Sequence, residues 1–423
     1  MTGAAGSVSQ ARQWERLMAL AAIGGFADAE GNQGVNRACL TPEDRAARRL
    51  LLSWATPLGL EPSVDAMGNL FLRWEGRERA LAPVLTGSHM DSQPNGGRFD
   101  GIWGVVAALE AVQAMREAGL TPRRPIEIVA WTNEEGGRFA PGCMGSMGYA
   151  AFRPHDAWDE VTDDEGIRFA DALAAHLAEE TDLPRRPLGV AEGGPAPHAY
   201  LEAHIEQGPR LEAAGLSIGV VTGIQGSRWF LVEIAGKTDH AGTAPLALRR
   251  DAVQDMLRAI TALNGLMADP ADVLRFTVGR IEVSPNTSNS VADGVRFTID
   301  FRHPDNAVLQ SRGDAIEGVV QGAMQRCRAT VTERFHARPV AFAPLVTGAV
   351  SRAAARLGLG TMEMPSGAFH DAQFLVPICP TGMLFVPCRA GVSHHPAEYA
   401  EPARLAEGAR VLAEALAMLA EAR

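Results

Sequence analysis

Residues 82–135 read APVLTGSHMDSQPNGGRFDGIWGVVAALEAVQAMREAGLTPRRPIEIVAWTNEE and predict a strand, a helix and a second strand. The apolar runs Ala82–Gly87 and Ile126–Trp131 are short and flanked by turn residues, as strands are. Between them, residues 101–119 carry apolar side chains at helical spacing and end in Gly119, a typical helix C-terminus. Strand, helix and strand in this order form a βαβ unit, which joins two parallel strands.

Each of these strands is followed by a cluster of polar residues. His89 and Asp91 follow the first strand, and Asn133, Glu134 and Glu135 follow the second. Open α/β sheets bind ligands just beyond the carboxyl ends of their strands. We therefore expect the functional site at this edge of the sheet.

Before the βαβ unit, the Thr-Pro-Glu-Asp sequence at Thr41 predicts the start of a surface helix that extends to Ala55.

The rest of the chain predicts a second domain inserted into the first. From Gly223 the pattern changes to strands at Trp229–Ile234, Arg275–Ile281 and Val295–Phe301, with helices at Leu248–Met267 and Asn306–Cys327. This order is typical of a small α+β sandwich.

The last part of the chain returns to the pattern of the first. An apolar strand at Met383–Val386 leads into the loop GVSHHPAEY and a closing amphipathic helix from Pro402. We therefore expect a first domain from residues 1–222 and 336–423, and an inserted domain from residues 223–335. The acidic, Pro- and Gly-punctuated stretch 156–197 is interpreted as a long excursion rather than a domain.

Composition excludes several classes of protein. At roughly 150 residues per domain, 423 residues suggest two or three domains. The net charge of −11 and the lack of a polybasic run argue against nucleic acid or anionic lipid as a partner. The sequence shows neither an apolar window long enough for a membrane span nor the features of a secretory signal. A cytoplasmic location is therefore the default expectation. Five scattered cysteines without a C-x-x-C pair indicate buried thiols rather than a disulfide framework.

Four histidines, His89, His204, His240 and His394, stand in polar, glycine-rich or acidic contexts at predicted loop positions. Asp91 follows His89 by two residues, so its carboxylate can sit behind the imidazole and direct the other ring nitrogen at a metal. The glycines of GGRFDG allow Asp100 to swing beside His89, where a carboxylate can bridge two cations. A helix N-cap is the alternative role for Asp100.

Glu134 and Glu135 are adjacent carboxylates that project differently from the chain. One can ligate a metal while the other acts on water as a general base, although a solvated pair is the alternative. Together with His204 and His394, these groups complete the donor set of a two-metal site. Each position has an ordinary structural explanation by itself, and the combination at strand ends favours the metal site.

Several long motifs carry a resemblance that covers residues from about 34 to the last helix. They are GSHMDSQPNGGRFDG, WTNEEGGRFAPGCMGS, HIEQGPRLE, DHAGT, NTSNS, FRHP and SGAFHDAQ. In their order and spacing they resemble the hydantoinase/carbamoylase family of amidases, among the aminoacylase and carboxypeptidase-like di-metal hydrolases. The resemblance implies an α/β fold, with a mixed-sheet catalytic domain and an inserted ferredoxin-like α+β domain that serves as lid and dimerisation domain.

The resemblance also implies roles for individual residues. One metal would be held by His89, Asp100 and His204, and the other by Asp100, Glu135 and His394, with Asp100 bridging. Glu134 would be the general base, with Asp91 as a further catalytic residue. His394 matches the family's Ser-His-x-Pro pattern better than its neighbour His395. Zinc or manganese is expected, although cobalt and nickel suit the same ligands.

Substrate contacts are implied at Gln207, His240, Asn289, Arg302, Gly367 and Ala368. Arginine can grip a carboxylate with two hydrogen bonds, and the imidazole of His240 can stabilise an oxyanion as a catalytic group. An ordinary surface ion pair is the alternative for Arg302. In relatives the inserted domain forms a homodimer, which would bring His240 into the partner's site.

The expected reaction is metal-dependent hydrolysis of the ureido C–N bond of an N-carbamoyl-L-amino acid or N-carbamoyl-β-alanine, which releases the amino acid, carbon dioxide and ammonia. Allantoate hydrolysis and an aminoacylase or dipeptidase activity are alternatives on the same fold, and a non-catalytic metal-binding protein is a third. Phe369 replaces a glycine common in relatives, and Trp103 replaces a smaller residue. Either residue could narrow or reshape the substrate pocket, and our hypothesis is that Phe369 selects small substrates, with packing elsewhere through a shifted loop as the alternative.

Overall fold

The computed structural model describes residues 3–422. The chain divides into two compact units, the first comprising Met1–Thr222 and Ala341–Arg423 and the second Gly223–Val340. The second boundary lies at 340/341 rather than at the expected 335/336, because a strand of the second unit, Arg328–Ala337, continues past that point.

The strands, numbered in chain order, are β1 Gly25–Ala27, β2 Gln33–Val35, β3 Glu61–Val64, β4 Leu70–Trp74, β5 Val84–His89, β6 Ile126–Trp131, β7 Ala199–Ile205, β8 Ile218–Ile224, β9 Gly226–Ala235, β10 Asp239–His240, β11 Arg275–Ser284, β12 Ser290–Val291, β13 Gly294–His303, β14 Arg328–Ala337, β15 Val340–Ala341, β16 Thr361–Ser366 and β17 Thr381–Val386. The α-helices are α1 Gln10–Ala21, α2 Pro42–Ala55, α3 Ile102–Glu117, α4 Met144–Tyr149, α5 Phe169–Glu179, α6 Arg210–Ala214, α7 Ala252–Leu266, α8 Asn306–Ala323, α9 Pro344–Arg356, α10 Ala372–Leu375 and α11 Pro402–Glu421.

The first unit is built on a large mixed sheet. Its strands follow the order β8-β17-β7-β5-β6-β4-β3, with β16 also paired to β8 and the short β15 at the β8 end. The neighbours β17, β7, β5 and β6 are mutually parallel, whereas β8, β4 and β3 pair antiparallel at the two sides. The predicted α/β class with a mixed sheet is therefore confirmed. Four parallel strands place their carboxyl ends at one edge of the sheet.

Helix α3, predicted between the first two parallel strands, is buried on nearly every side. It packs against β5, β7 and α11, and a helix that is apolar all round requires such enclosure. Trp103 in α3 is fully buried, and its ring lies against Gly408 of α11 within the main hydrophobic core. The Trp103 side chain therefore fills the core between two helices, and any effect of it on the substrate pocket would be indirect.

The predicted surface helix α2 begins as expected. The Thr41 hydroxyl accepts a hydrogen bond from the backbone N–H of Asp44, and Pro42 occupies the first turn. Ala47, Leu51 and Ala55 are fully buried on one face. Residues 156–197 lie within the first unit, where they contribute α5.

The second unit is an antiparallel four-stranded sheet of order β11-β13-β9-β14, on which α7 and α8 pack. The chain order β9-α7-β11-β13-α8-β14 is that of a ferredoxin-like unit. Val232, Phe297 and Phe301 lie in its core. The pattern of the sequence missed β14 because the charged residues of RATVTERFHA mask its alternation.

The five cysteines, Cys39, Cys143, Cys327, Cys379 and Cys388, are free and buried, as predicted. None of the helices within residues 3–422 combines the length and the apolar character that crossing a membrane requires.

Replacing Gly408 tests the packing of α3 on α11. A Cβ atom at this position would lie 2.8 Å from the Trp103 ring and 2.4 Å from Val386 Cγ1. We expect Gly408→Ala to lower the free energy of unfolding by about 1–3 kcal/mol, as overpacking of a core does. The measurement is the urea midpoint of unfolding.

Gly348 in α9 provides the matched control, because a Cβ there would meet only the mobile end of Arg352 at 3.1 Å. Gly348→Ala should leave stability unchanged or raise it by up to about 1 kcal/mol through helix propensity. Equal midpoints for the two variants would contradict the packing assigned to Trp103.

Candidate metal centre

The parallel strands bring distant parts of the chain to one edge of the sheet. His89 is the last residue of β5, and Glu134 and Glu135 follow β6. His204 lies within β7, where Phe385 of β17 is its parallel partner. The prediction that His89, His204 and His240 are loop residues is wrong, because β5 and β7 extend past their predicted limits and His240 lies on the two-residue strand β10. His394 alone of the four lies in a loop, after β17.

Asp100 lies at the centre of the imidazole groups. Its Oδ1 is 3.1 Å from His204 Nε2 and 3.6 Å from His89 Nε2. Its Oδ2 is 3.3 Å from His394 Nε2, which is also 3.3 Å from Glu135 Oε2. The structure thus brings the five predicted ligands together as two groups that share Asp100.

These groups fit divalent metal ions. Two ligands that each lie about 2.1 Å from a tetrahedral ion are about 3.4 Å apart, and the nitrogen–oxygen distances of 3.1–3.6 Å match this spacing. Imidazole and carboxylate donors suit zinc and related transition metals. A third cluster, Glu202, His204 and His370, is fully buried and shares His204 with the first.

Carbonyl groups orient two of the imidazole rings. His89 Nδ1 lies 3.0 Å from the backbone oxygen of Asp91, and His204 Nδ1 lies 2.9 Å from that of Ile205. Nδ1–H donation to these carbonyls leaves both Nε2 atoms as acceptors that face Asp100, the arrangement typical of metal-ligating histidines.

Asp91 acts differently from the sequence-based expectation. Its carboxylate is 3.6 Å from His89 Nδ1, farther than its own carbonyl oxygen. The two carboxylate oxygens instead accept hydrogen bonds from the backbone N–H groups of Glu134 and Glu135, at 3.3 and 3.2 Å. Asp91 therefore holds the turn that presents both glutamates.

Glu134 faces the centre without belonging to either ligand group. Its Oε2 lies 3.3 Å from His89 Nε2, and its side chain is 9% exposed. Burial raises the pKa of its carboxyl group well above the ordinary value, and the carboxylates of Asp371 and Glu135 raise it further, against the opposing effect of His89. A carboxyl group in this environment can both accept and return a proton.

Charge in the centre is shared between acids and imidazoles. The hydrogen bond to Asp100 raises the pKa of His394 to about 9, while burial and the Asp100 carboxylate raise the pKa of Glu135 to about 7. Burial opposes ionisation of Asp100, yet the neighbouring histidines hold its pKa well below the ordinary value. Metal ions at the same positions would take over the role of these protons.

Three residues next to the centre have an unusual backbone conformation. Asn133, Gln207 and His394 have φ angles of 56°, 55° and 54°, in the left-handed region that non-glycine residues seldom adopt. Such strain persists where the surrounding structure imposes it, commonly at functional sites.

Asp100 itself is held by two side chains. Gln207 Nε2 donates to Oδ2 at 2.8 Å, and Ser393 Oγ lies 2.7 Å from the same oxygen. The N-cap of α3 is Gly101 without a side-chain hydrogen bond, so the alternative role of Asp100 as a helix cap is wrong. Gly101 has φ +63°, and a Cβ there would lie 2.2 Å from the His89 ring.

The remaining predicted residues belong to other segments of the chain. In the second unit, the pairing of β10 with β12 places His240 opposite Ser290, and the N–H of Ala241 donates to the carbonyl of Asn289 at 3.0 Å. Arg302 lies on β13, where its guanidinium donates to Asp300. Their substrate contacts stay predictions.

The loop after β16 carries Gly367 and Ala368. Ser366 Oγ accepts from the Ala368 N–H at 3.1 Å and lies 2.9 Å from His370 Nε2, so one hydroxyl shapes this loop. Phe369 in the same loop is half-buried. Their contacts with substrate, and the effect of Phe369 on it, stay predictions.

Sequence reasoning missed several groups that support the ligands. Gln93 donates to Glu135 Oε2 at 2.8 Å, and Glu398 accepts from the backbone N–H of Asp100 at 3.1 Å. His370 packs edge-on against His204, with ring centroids 4.5 Å apart. Each of these three residues lies in a quoted segment of sequence that also carries a predicted site residue, and this proximity was the signal available in the sequence.

A donor set of this kind at the carboxyl ends of parallel strands, with a buried glutamate beside it that belongs to neither ligand group, is typical of a metal-dependent hydrolase. Residues 85–418 match the model of peptidase family M20/M25/M40. A crystal structure of a hydantoinase/carbamoylase family amidase from Burkholderia multivorans aligns with a TM-score of 0.88 at 41% identity, covering 98% of this chain and 99% of that one.

Two curated relatives align over nearly their full lengths. The N-carbamoyl-L-amino acid amidohydrolase of Geobacillus stearothermophilus is 40% identical, over 97% of this chain and 98% of its own. The allantoate amidohydrolase of Bacillus subtilis (strain 168) is 34% identical, over 93% and 94%. The chain therefore belongs to peptidase family M20/M25/M40 and, within it, to the hydantoinase/carbamoylase family of amidases, as its motifs predicted.

The two adjacent histidines can be distinguished by metal content. His394 Nε2 faces Asp100 and Glu135, whereas the Nδ1 atom of His395 accepts a hydrogen bond from the N–H of Ala397. We expect His394→Ala to lose one equivalent of bound metal after dialysis, and His395→Ala to keep the wild-type content, measured by inductively coupled plasma mass spectrometry. The opposite pattern would transfer the ligand role to His395.

Proposed function

We propose that this protein hydrolyses the ureido C–N bond of N-carbamoyl amino acids in a metal-dependent reaction. The observation that carries the proposal is the position of Glu134, buried 3.3 Å from His89 Nε2 beside two ligand groups that share Asp100. A protein that binds metal only for stability does not require this additional carboxylate. The products would be the amino acid, carbon dioxide and ammonia, with one water consumed.

Two divalent ions, zinc or manganese, would be held by the two groups. His89, Asp100 and His204 would hold one, and Asp100, Glu135 and His394 the other. When bound, the ions would polarise the ureido carbonyl and make water more acidic, and both effects are needed because a ureido carbon is a poor electrophile.

Glu134 would transfer the proton. Its Oε2 would accept a proton from the attacking water, and the protonated carboxyl group would then donate it to the departing nitrogen. The carboxylate oxygens of Asp91 accept hydrogen bonds from the backbone N–H groups of Glu134 and Glu135. These bonds would keep the general base and the metal ligand in fixed positions relative to each other. Cys143 Sγ, 3.7 Å from Glu134 Oε1, packs against the same carboxylate.

The second unit would contribute substrate recognition. Arg302 and Asn289 would bind the substrate carboxylate, His240 would stabilise the oxyanion, and Gln207, Gly367 and Ala368 would complete the contacts. We further propose that this unit serves as lid and dimerisation domain, so that His240 acts in the partner's site of a homodimer.

Allantoate is the second candidate substrate, favoured by the 34% identical relative of that activity. It carries ureido groups and a carboxylate as well, so the same centre could act on it. The N-carbamoyl amino acids rank first because the 40% identical relative covers more of both chains.

Replacement of the general base tests the reaction. Glu134→Gln should lower kcat by at least about 100-fold, the lower end of the range for a lost general acid–base group, and should retain the metal content of the wild type. The assay is ammonia release from N-carbamoyl-L-amino acids, N-carbamoyl-β-alanine and allantoate after chelation and reconstitution with zinc or manganese. N-acetyl amino acids, assayed by release of the free amine, are included for comparison.

Chelated wild-type protein should be inactive and recover with metal. Turnover of acetylated substrates alone would replace the proposal with an aminoacylase. Metal binding without turnover of any compound would favour the binding-protein interpretation.

Arg302→Ala tests the carboxylate contact. Because a hydrogen bond to a charged group contributes about 1.5–3 kcal/mol, kcat/KM for a substrate with a carboxylate should fall about 10- to 100-fold. A carbamoylated amine without a carboxylate serves as control and should be turned over equally by both proteins. Equal losses on both compounds would mean that Arg302 acts only through its ion pair with Asp300.

A further inference from the structure

Glu398 lies four residues after His394 and is 1% exposed. Its Oε1 accepts hydrogen bonds from the backbone N–H groups of Phe99 and Asp100, at 2.8 and 3.1 Å. Its Oε2 lies 2.9 Å from Ser393 Oγ. One side chain thus connects the loop that carries Asp100 to the loop that carries His394.

Ser393 gives Glu398 a second route to Asp100. The hydroxyl of Ser393 lies 2.7 Å from Asp100 Oδ2, the oxygen that also faces His394 Nε2 at 3.3 Å. Glu398 therefore fixes the backbone of Asp100 directly and its carboxylate through Ser393. Since Ser393 precedes His394 in the chain, the same contacts restrain the position of that imidazole.

The packing around Glu398 is tight. A Cβ atom at Gly97 would lie 2.1 Å from the Glu398 carboxyl carbon, so only glycine allows the loop this approach. On the neighbouring residues, the Phe99 and Tyr399 rings pack edge-on with centroids 5.9 Å apart, and Trp14 stacks on Phe99 at 5.8 Å. The two loops are held as one packed body.

Glu398 is also chemically unusual. Its three hydrogen bonds are to uncharged N–H and O–H groups rather than to a cation. Burying a carboxyl group costs free energy unless it is well hydrogen-bonded, and such groups therefore have an identifiable structural or functional reason. Here each bond leads to the bridging residue or to its neighbours.

We propose that Glu398 is a positioning residue of the metal centre, which holds Asp100 so that one carboxylate oxygen faces His89 and His204 and the other faces His394. This inference rests on the proposed metal centre. Glu398 acts through Asp100 and Ser393 and does not itself ligate a metal. Partners of this kind commonly contribute 10- to 100-fold to metal affinity.

The test measures the affinity of the full chain for zinc alone, after removal of metal and in competition with a chelator. Glu398→Ala should weaken the affinity about 10- to 100-fold. Glu398→Gln should stay within about threefold of wild type, because the amide oxygen still accepts the two backbone N–H groups and its NH2 group can donate to Ser393. This rescue separates positioning from a general need for an acid.

Glu110→Ala is the matched control for loss of a buried carboxylate. Glu110 is fully buried in the same unit, and its Oε1 accepts the backbone N–H of Ser9 at 2.7 Å and a hydrogen bond from Arg12. This variant should lose stability and keep the zinc affinity of the wild type. Should Glu398→Ala fail to fold, Glu398→Asp provides the measurement, because its shorter side chain cannot span both loops and should also weaken zinc binding about tenfold or more.

A double-mutant cycle tests the route through Ser393. Ser393→Ala should weaken zinc binding less in the Glu398→Ala background than in the wild type, since the hydroxyl is no longer held. Wild-type affinity in the folded Glu398→Ala or Glu398→Asp variant, or a similar loss in Glu110→Ala, would overturn the inference while leaving the proposed centre intact. A wild-type chain that binds no zinc, manganese, cobalt or nickel would overturn the metal centre itself.

Discussion

The carboxylate of Asp100 is the group on which the centre depends. It is 6% exposed and lies within 3.6 Å of three imidazole nitrogens that come from separate regions of the chain. A buried negative charge is costly without compensation. The three histidines supply part of that compensation, and bound metal ions would supply more of it. Metal binding should therefore also stabilise the folded chain, since a ligand that prefers the native state shifts the unfolding equilibrium.

The sheet provides the constraint that makes this convergence possible. β5, β6, β7 and β17 are adjacent and parallel, so the residues at their carboxyl ends lie close together, and the loops that follow β5 and β17 add Asp100 and His394. Residues next to the ligands hold them in place. Asp91 binds the backbone that carries the two glutamates, and backbone carbonyl groups fix the tautomers of His89 and His204. The ligands are thus fixed by main-chain geometry as much as by their own side chains.

The contrast between Trp103 and Glu398 illustrates how far residue identity can be interpreted. In the sequence, Trp103 is a large residue close to Asp100 where relatives have smaller ones, which suggests an effect on the site. In the structure, its side chain points into the core against Gly408. Glu398 suggests no such role in the sequence, because a glutamate in a polar loop is normally exposed to solvent. Only the folded chain places its carboxylate beneath the Asp100 backbone. Both residues lie within four positions of a predicted ligand, and only the direction of the side chain in the folded chain separates their roles.

Periodicity and motifs were sufficient to predict the βαβ unit, the inserted α+β unit, the family and the set of residues that could bind metal, because these properties depend on local spacing and residue type. Strand limits at His89 and His204, the hidden β14 and the direction of each side chain depended on pairing with distant segments, which local spacing does not encode. The grouping of His89, Asp100 and His204 apart from Glu135 and His394 was likewise implied by resemblance alone. Only the tertiary structure brings the ligand atoms of each group within 4.8 Å of one another, because parallel pairing of strands far apart in sequence brings their ends together.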